Sequence, residues 1–264
     1  MTPDAPTTRN VPALLAGLHT EKATATVLVS GTPGGAIHVR DGMVVGMETP
    51  GAPGVEVLLL KSHRIAEEDW TAVRATGADP ARVALELVAG GLLGAAELEI
   101  TGRAALFDAA FALALTSPDG WEVTAPRSLL DTGTAVSPDR LVTENARRLR
   151  LLANERGATA RFARDRLEPA PEARDPRRVA RLSARHRTVL TAADGRRTPR
   201  DIAFTLGRGL FAVLLDLRDL LAEGFLRSPA AAPAPRPSTA PRTSPAATAA
   251  APHPTAAPLP RRKR

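Results

Sequence analysis

Apolar and polar positions change period several times along the chain, and each change marks an element. Val11, Leu14, Leu15 and Leu18 recur at helical spacing, which puts them on one face of a helix. The period then drops to two. ATATVLVS (23–30) and AIHVR (36–40) flank a GTPGG loop, and MVVGM (43–47) follows Asp41-Gly42. Asp-Gly between two alternating apolar runs is a strong hairpin signal, because a type I′ turn needs positive φ at both central residues. A small antiparallel sheet is therefore expected. Helical spacing returns over 55–61, 67–75 and 80–89, and in one or two pieces across 95–115. Asp79-Pro80 supplies a cap followed by proline at the first helical position. AALFDAAFALAL (104–115) is apolar nearly all round, the pattern of a buried helix. GWEVT (120–124) reads as a closing strand.

A longer amphipathic helix is expected over 137–156. Leu141, Val142, Ala146, Leu149, Leu152 and Ala153 fall within about 140° of one another at 100° per residue. That stripe can pack on either neighbouring part or on a second copy, making a homodimer. Residues 157–176 are charged and broken by Pro169, Pro171 and Pro176, the pattern of a linker. From 177 to 227 three short helices follow. Ser183 can cap the first. Thr198-Pro199 starts the second, with Asp201 completing a capping box and Gly207 available to end it. Leu210 to Glu223 forms a richly apolar third helix, and Phe225-Leu226 is a short extended segment. Residues 228–264 hold 10 Pro, 12 Ala and no acid, and read as a disordered, basic tail. The fold class is α+β: a small antiparallel sheet with several helices, then an all-α-rich domain, then the tail.

Two resemblances refine this. Helix, hairpin with a DG turn, helices and a strand after SPDGW resemble the PATAN-type domain of bacterial signalling proteins. The residues that carry it are Leu14, Leu18, Gly35 to Gly42 and Gly120-Trp121, over about residues 11–125. It implies an interaction or sensory part. DGRRTPRDIAFTLG and the ending LLAEGFL resemble the winged-helix modules of bacterial transcriptional regulators, and a comparable pattern occurs in PqqD-like peptide-binding modules. These resemblances imply a helix-turn-helix that binds DNA, peptide or protein.

Charge sharpens the choice of partner. Residues 1–139 carry net −8, residues 140–208 net +10 and residues 209–264 net +5, and the chain has 32 Arg to 3 Lys. An acidic front and a basic middle suggest two surfaces with different partners. Arg185, Arg187, Arg196, Arg197, Arg200 and Arg208 crowd the helix-turn-helix and are the candidate DNA-binding residues, since arginine suits phosphate and guanine edges. The third helix opposes base reading: Leu210 to Leu215 offer no side chain that bonds a base edge, and Asp216, Asp219 and Glu223 would repel phosphates.

Catalytic chemistry leaves no trace. With no Cys, disulfides, thiolate metal sites and cysteine nucleophiles are excluded. GTPGG lacks the Gly-Lys-Ser/Thr ending of a phosphate-binding loop. Histidines 19, 38, 63, 186 and 253 show no metal-ligand spacing. The first residues, MTPDAPTTRN, lack the basic start and apolar run expected of a signal peptide, and no uncharged apolar run approaches membrane length. The expectation is a non-enzymatic cytoplasmic regulator with no cofactor, metal or membrane contact. It binds duplex DNA through the C-terminal module or, as a signalling adaptor, a protein or peptide.

Overall fold

Each change of period becomes an element in the computed structural model, which describes residues 10–76, 79–152 and 156–228. The expected tail, from 229 on, lies outside the described residues. Helix α1 (Val11–Thr20) begins at Asn10, whose side chain accepts from the Ala13 N–H at 3.2 Å. Strands β1 (Ala25–Ser30), β2 (Gly35–Arg40) and β3 (Met43–Glu48) form a meander. β4 (Gly120–Thr124) joins the other side of β1, so the antiparallel sheet has the order β3-β2-β1-β4. Between β2 and β3, Asp41 and Gly42 have φ of 50° and 76°, both left-handed as a type I′ turn requires. Gly42 also lies hard against α1: a Cβ there would stand 2.7 Å from the His19 carbonyl oxygen.

The nearly all-apolar stretch is part of one 20-residue helix, α5 (Ala95–Ala114), and three separate cores wrap it. Near its start, Leu98 packs with residues of α2 (Val55–Lys61), α3 (Glu67–Ala75) and α4 (Pro80–Ala89), including Leu59, Trp70, Val83 and Leu87. Midway, Leu106, Phe107 and Ala110 lie with Val27, Ile37 and Val44 of the sheet and with Leu141 of α6 (Pro138–Leu151). At its end, Phe111, Ala112 and Leu115 join Val189, Ile202, Leu214 and Leu217. A helix with apolar residues on nearly every side needs a partner on nearly every side, and the three cores together supply them. The expected α6 stripe is used in part: Leu141 and Leu152 are buried and Leu149 packs on the same core as Leu152, while Val142 remains 45 % exposed, and Ala153 lies outside the described residues.

Residues 157–176 differ from the expected bare linker. They contain most of α7 (Arg156–Phe162), β5 (Glu168–Pro169), a 3-10 turn (Pro171–Arg174) and the start of α8 (Pro176–Arg181). Thr159, Leu167 and Ala170 are buried. The prolines that suggested breaks instead start elements: Pro171 and Pro176 lie in first turns, where their missing N–H costs nothing. Pro169 sits in a two-stranded sheet in which each strand is an edge, paired with Leu226 of β6 (Leu226–Arg227). Thus the extended segment after the third helix finds its partner upstream, in the presumed linker. Contacts cross the expected boundary between the front and rear parts, and the described residues, up to 228, form one compact unit. The described residues are α+β, with eleven α-helices and a four-stranded antiparallel sheet. Among them no helix is long and apolar enough to cross a membrane.

Candidate interface around the three-helix region

The region is built from three short helices, α9 (Ala184–Ala192), α10 (Pro199–Leu206) and α11 (Leu210–Ala222). Ser183 accepts from the His186 N–H at 3.2 Å and so caps α9. Asp194 then accepts from the Arg196 and Arg197 N–H groups at 2.9 and 3.1 Å, turning the chain towards α10. Those two bonds, with the nearby charge of Arg197, hold its carboxyl below the usual range. Thr198 and Asp201 form the reciprocal capping box. The Thr198 hydroxyl accepts from the Asp201 N–H at 3.2 Å, and the Asp201 carboxylate accepts from the Thr198 N–H at 2.9 Å. Asp is short for this role but reaches, as the sequence suggested. Burial disfavours the Asp201 charge, yet the bonds from Thr198 and the charges of Arg200 and Arg166 outweigh it and lower its pKa. Gly207, at φ 59°, closes α10 in the left-handed region.

The six candidate arginines separate into three pairs. Arg185, still 59 % exposed, and the more covered Arg208 both pair with Asp216, a carboxylate on α11 that is 1 % exposed. Arg185 Nε lies 3.0 Å from Oδ1 and Arg208 Nη2 lies 2.7 Å from Oδ2, with His186 Nε2 at 3.5 Å from Oδ1. Asp216 is therefore no phosphate-repelling surface charge: it is buried and neutralised from two sides. Arg187 donates to the Leu182 carbonyl, and Arg197 lies 3.5 Å from Asp194 and donates to the Ala192 carbonyl. Arg196 and Arg200 are exposed and make no ion pair among the described residues.

The third helix is where recognition of a DNA groove would fall, and its first turn is covered. Leu210, Phe211, Val213 and Leu214 are buried. α11 has no side-chain cap of its own, Gly209 standing at that position. The cap comes from α5: Asp108 accepts from the Phe211 N–H at 3.1 Å and from the Leu210 N–H. Asp108 also pairs with Arg148 Nη1 at 3.0 Å, and the Arg148 guanidinium lies 4.8 Å from the Phe211 ring centroid. Burial pushes the Asp108 carboxyl up, and the Arg148 charge and the two N–H groups only partly counter it. Phe111 and Phe211 meet edge to face at 5.4 Å. Asp108, Arg148 and the inward role of Asp216 escaped sequence reasoning. The one available signal was an ionised residue inside an otherwise apolar run, which demands a partner wherever it is buried.

Among the described residues no group of three or more His, Asp or Glu side chains could hold a metal ion. Comparison of the chain with protein-family models, curated proteins and solved structures finds no significant match.

Proposed function

We propose that this is a non-enzymatic regulatory protein of the cytoplasm that works by association, a signalling adaptor whose winged-helix-like region binds an acidic protein or peptide. The observation that carries this reading is the burial of the first turn of α11 beneath Asp108 and Phe111. A helix in that setting does not offer its N-terminal turn to a major groove, where recognition helices place their base-reading residues. The exposed guanidiniums of Arg196 and Arg200 suit carboxylates as well as phosphates. The front part, which resembles a PATAN-type domain, supplies an interaction or sensory surface of its own.

The second reading is a transcriptional regulator that holds duplex DNA by phosphate contacts from the same exposed arginines. Arg196 and Arg200 favour it because they sit together about the start of α10 with no internal partner among the described residues. Retention of the full chain on immobilised mixed-sequence duplex at moderate salt separates the two. The adaptor reading expects the protein to wash through. Retention that falls steeply with salt transfers the case to the regulator, since counterion release makes phosphate binding salt-dependent.

A further inference from the structure

A cleft of about 460 Å³ lies where the front sheet meets the three-helix region. On one side stand the loop between β1 and β2, with Thr32 and Pro33, and the Pro50-Gly51 turn. The other side is formed by Ala160 and Ala163 and by the start of α10. Its apolar lining includes Ala112, Leu115 and Leu210, all three buried. Its polar groups are few and of one dominant sign. Arg164 and Arg200 line it, both exposed. Arg164 is held only by a long 3.4 Å bond to the Thr32 carbonyl, and Arg200 makes no hydrogen bond or ion pair among the described residues. One carboxylate, Asp201, is present, and it is already engaged. Its Oδ2 accepts from the Thr198 N–H at 2.9 Å and from the Thr198 hydroxyl at 2.8 Å. The charges of Arg200 and Arg166 both act on Asp201, so the surroundings of this carboxylate remain net positive.

Apolar walls of this size with two exposed guanidiniums that make no ion pair among the described residues match a ligand that is part hydrocarbon and part anion. We propose that the cleft binds a small organic anion, an apolar group of about one ring bearing a carboxylate or a phosphate, with Arg164 and Arg200 gripping the charged end. Arginine's planar fork accepts either anion in two-point fashion. A molecule so bound touches the β1–β2 loop and α10 together. Occupancy therefore bears on the junction between the front sheet and the region proposed to bind partners, the position expected of an effector. The inference goes beyond the proposed function and does not depend on whether the partner is protein or DNA.

The test is a titration of full-length, methyl-labelled protein with phenyl phosphate, with benzoate and with neutral benzyl alcohol, followed by NMR. Methyl signals of Ala112, Leu115, Ala163 and Leu210 are expected to shift together with at least one of the anions, with Kd near or below about 1 mM. The better of the two identifies the preferred charged group. Benzyl alcohol is expected to bind at least about tenfold more weakly, as is either anion to the Arg164→Gln/Arg200→Gln variant. Both arginines are exposed, so that variant should melt with the wild type. No shift of these methyls at about 20 mM of either anion overturns the proposal. Equal binding of the neutral probe also overturns it, as does undiminished affinity in the double variant.

Discussion

Replacing Asp108 with Ala removes one side chain from α5 and strikes two other helices. The carboxylate is 3 % exposed and accepts from Leu210 N–H and Phe211 N–H while pairing with Arg148 at 3.0 Å. Losing a helix cap costs about 1 kcal/mol. Removing one member of a buried ion pair costs about 3–5 kcal/mol, because the other charge stays buried and uncompensated. Arg148 is only 12 % exposed, but it keeps Glu144 at 2.9 Å, which places its share at the low end. The two effects together give Asp108→Ala a cost of about 4 kcal/mol, a large part of the 5–15 kcal/mol typical of a folded domain. Asp108→Asn retains an acceptor for one N–H and should cost less, about 1–2 kcal/mol. Urea unfolding of the full chain, read by circular dichroism, measures both. A double variant, Asp108→Ala with Arg148→Met, should be more stable than Asp108→Ala alone, since it no longer buries a guanidinium that has lost one of its two carboxylate partners. A loss below about 1 kcal/mol for Asp108→Ala would refute the reasoning, as would simple additivity in the double variant.

Other outcomes follow from the same geometry. Gly42→Val should destabilise the protein by roughly 2 kcal/mol, from forced positive φ and the clash with His19, seen as a lowered melting temperature. Arg208→Ala should cost about 2–4 kcal/mol in urea unfolding by stripping a partner from buried Asp216. Arg196→Ala with Arg200→Ala should leave the melting temperature unchanged. If the chain does bind duplex DNA, the same pair should flatten the slope of log affinity against log salt by about 0.9 per lost contact. Hydrogen bonds from Arg147, with burial opposing and Arg148 assisting, lower the Glu144 pKa from 4.5 to about 2. A depressed carboxyl contributes stability above its unfolded pKa, and that contribution disappears as pH falls from 4.5 towards 2. Glu144→Gln should therefore flatten the acid limb of a stability-versus-pH curve in that window; an unchanged limb would contradict the assignment.

What was legible in the residues alone is what depends on neighbours a few positions away. Asp41-Gly42 carries its own turn because the dihedral demand is local. Thr198, Pro199 and Asp201 carry their own cap because the box closes within one turn. The all-round apolarity of α5 announced burial, though not by what. Spacing could not disclose which surfaces would meet. Arg185 and Arg208 have the same composition-level signal as Arg196 and Arg200, yet the packing of α9 and of the turn after α10 on α11 brings the first pair to Asp216 and leaves the second without an ion pair among the described residues. The prolines between 169 and 176 look like breaks in one dimension and like helix starts once Leu167 and Ala170 have a core to enter. Asp108 found its role only when α5, α6 and α11 came together. A charge in a low-dielectric interior is tolerable only beside partners, and those partners lie far away along the chain. Local dihedral preferences act before the chain has a tertiary fold, whereas the destination of each charge is settled by desolvation, which exists only after the helices have packed.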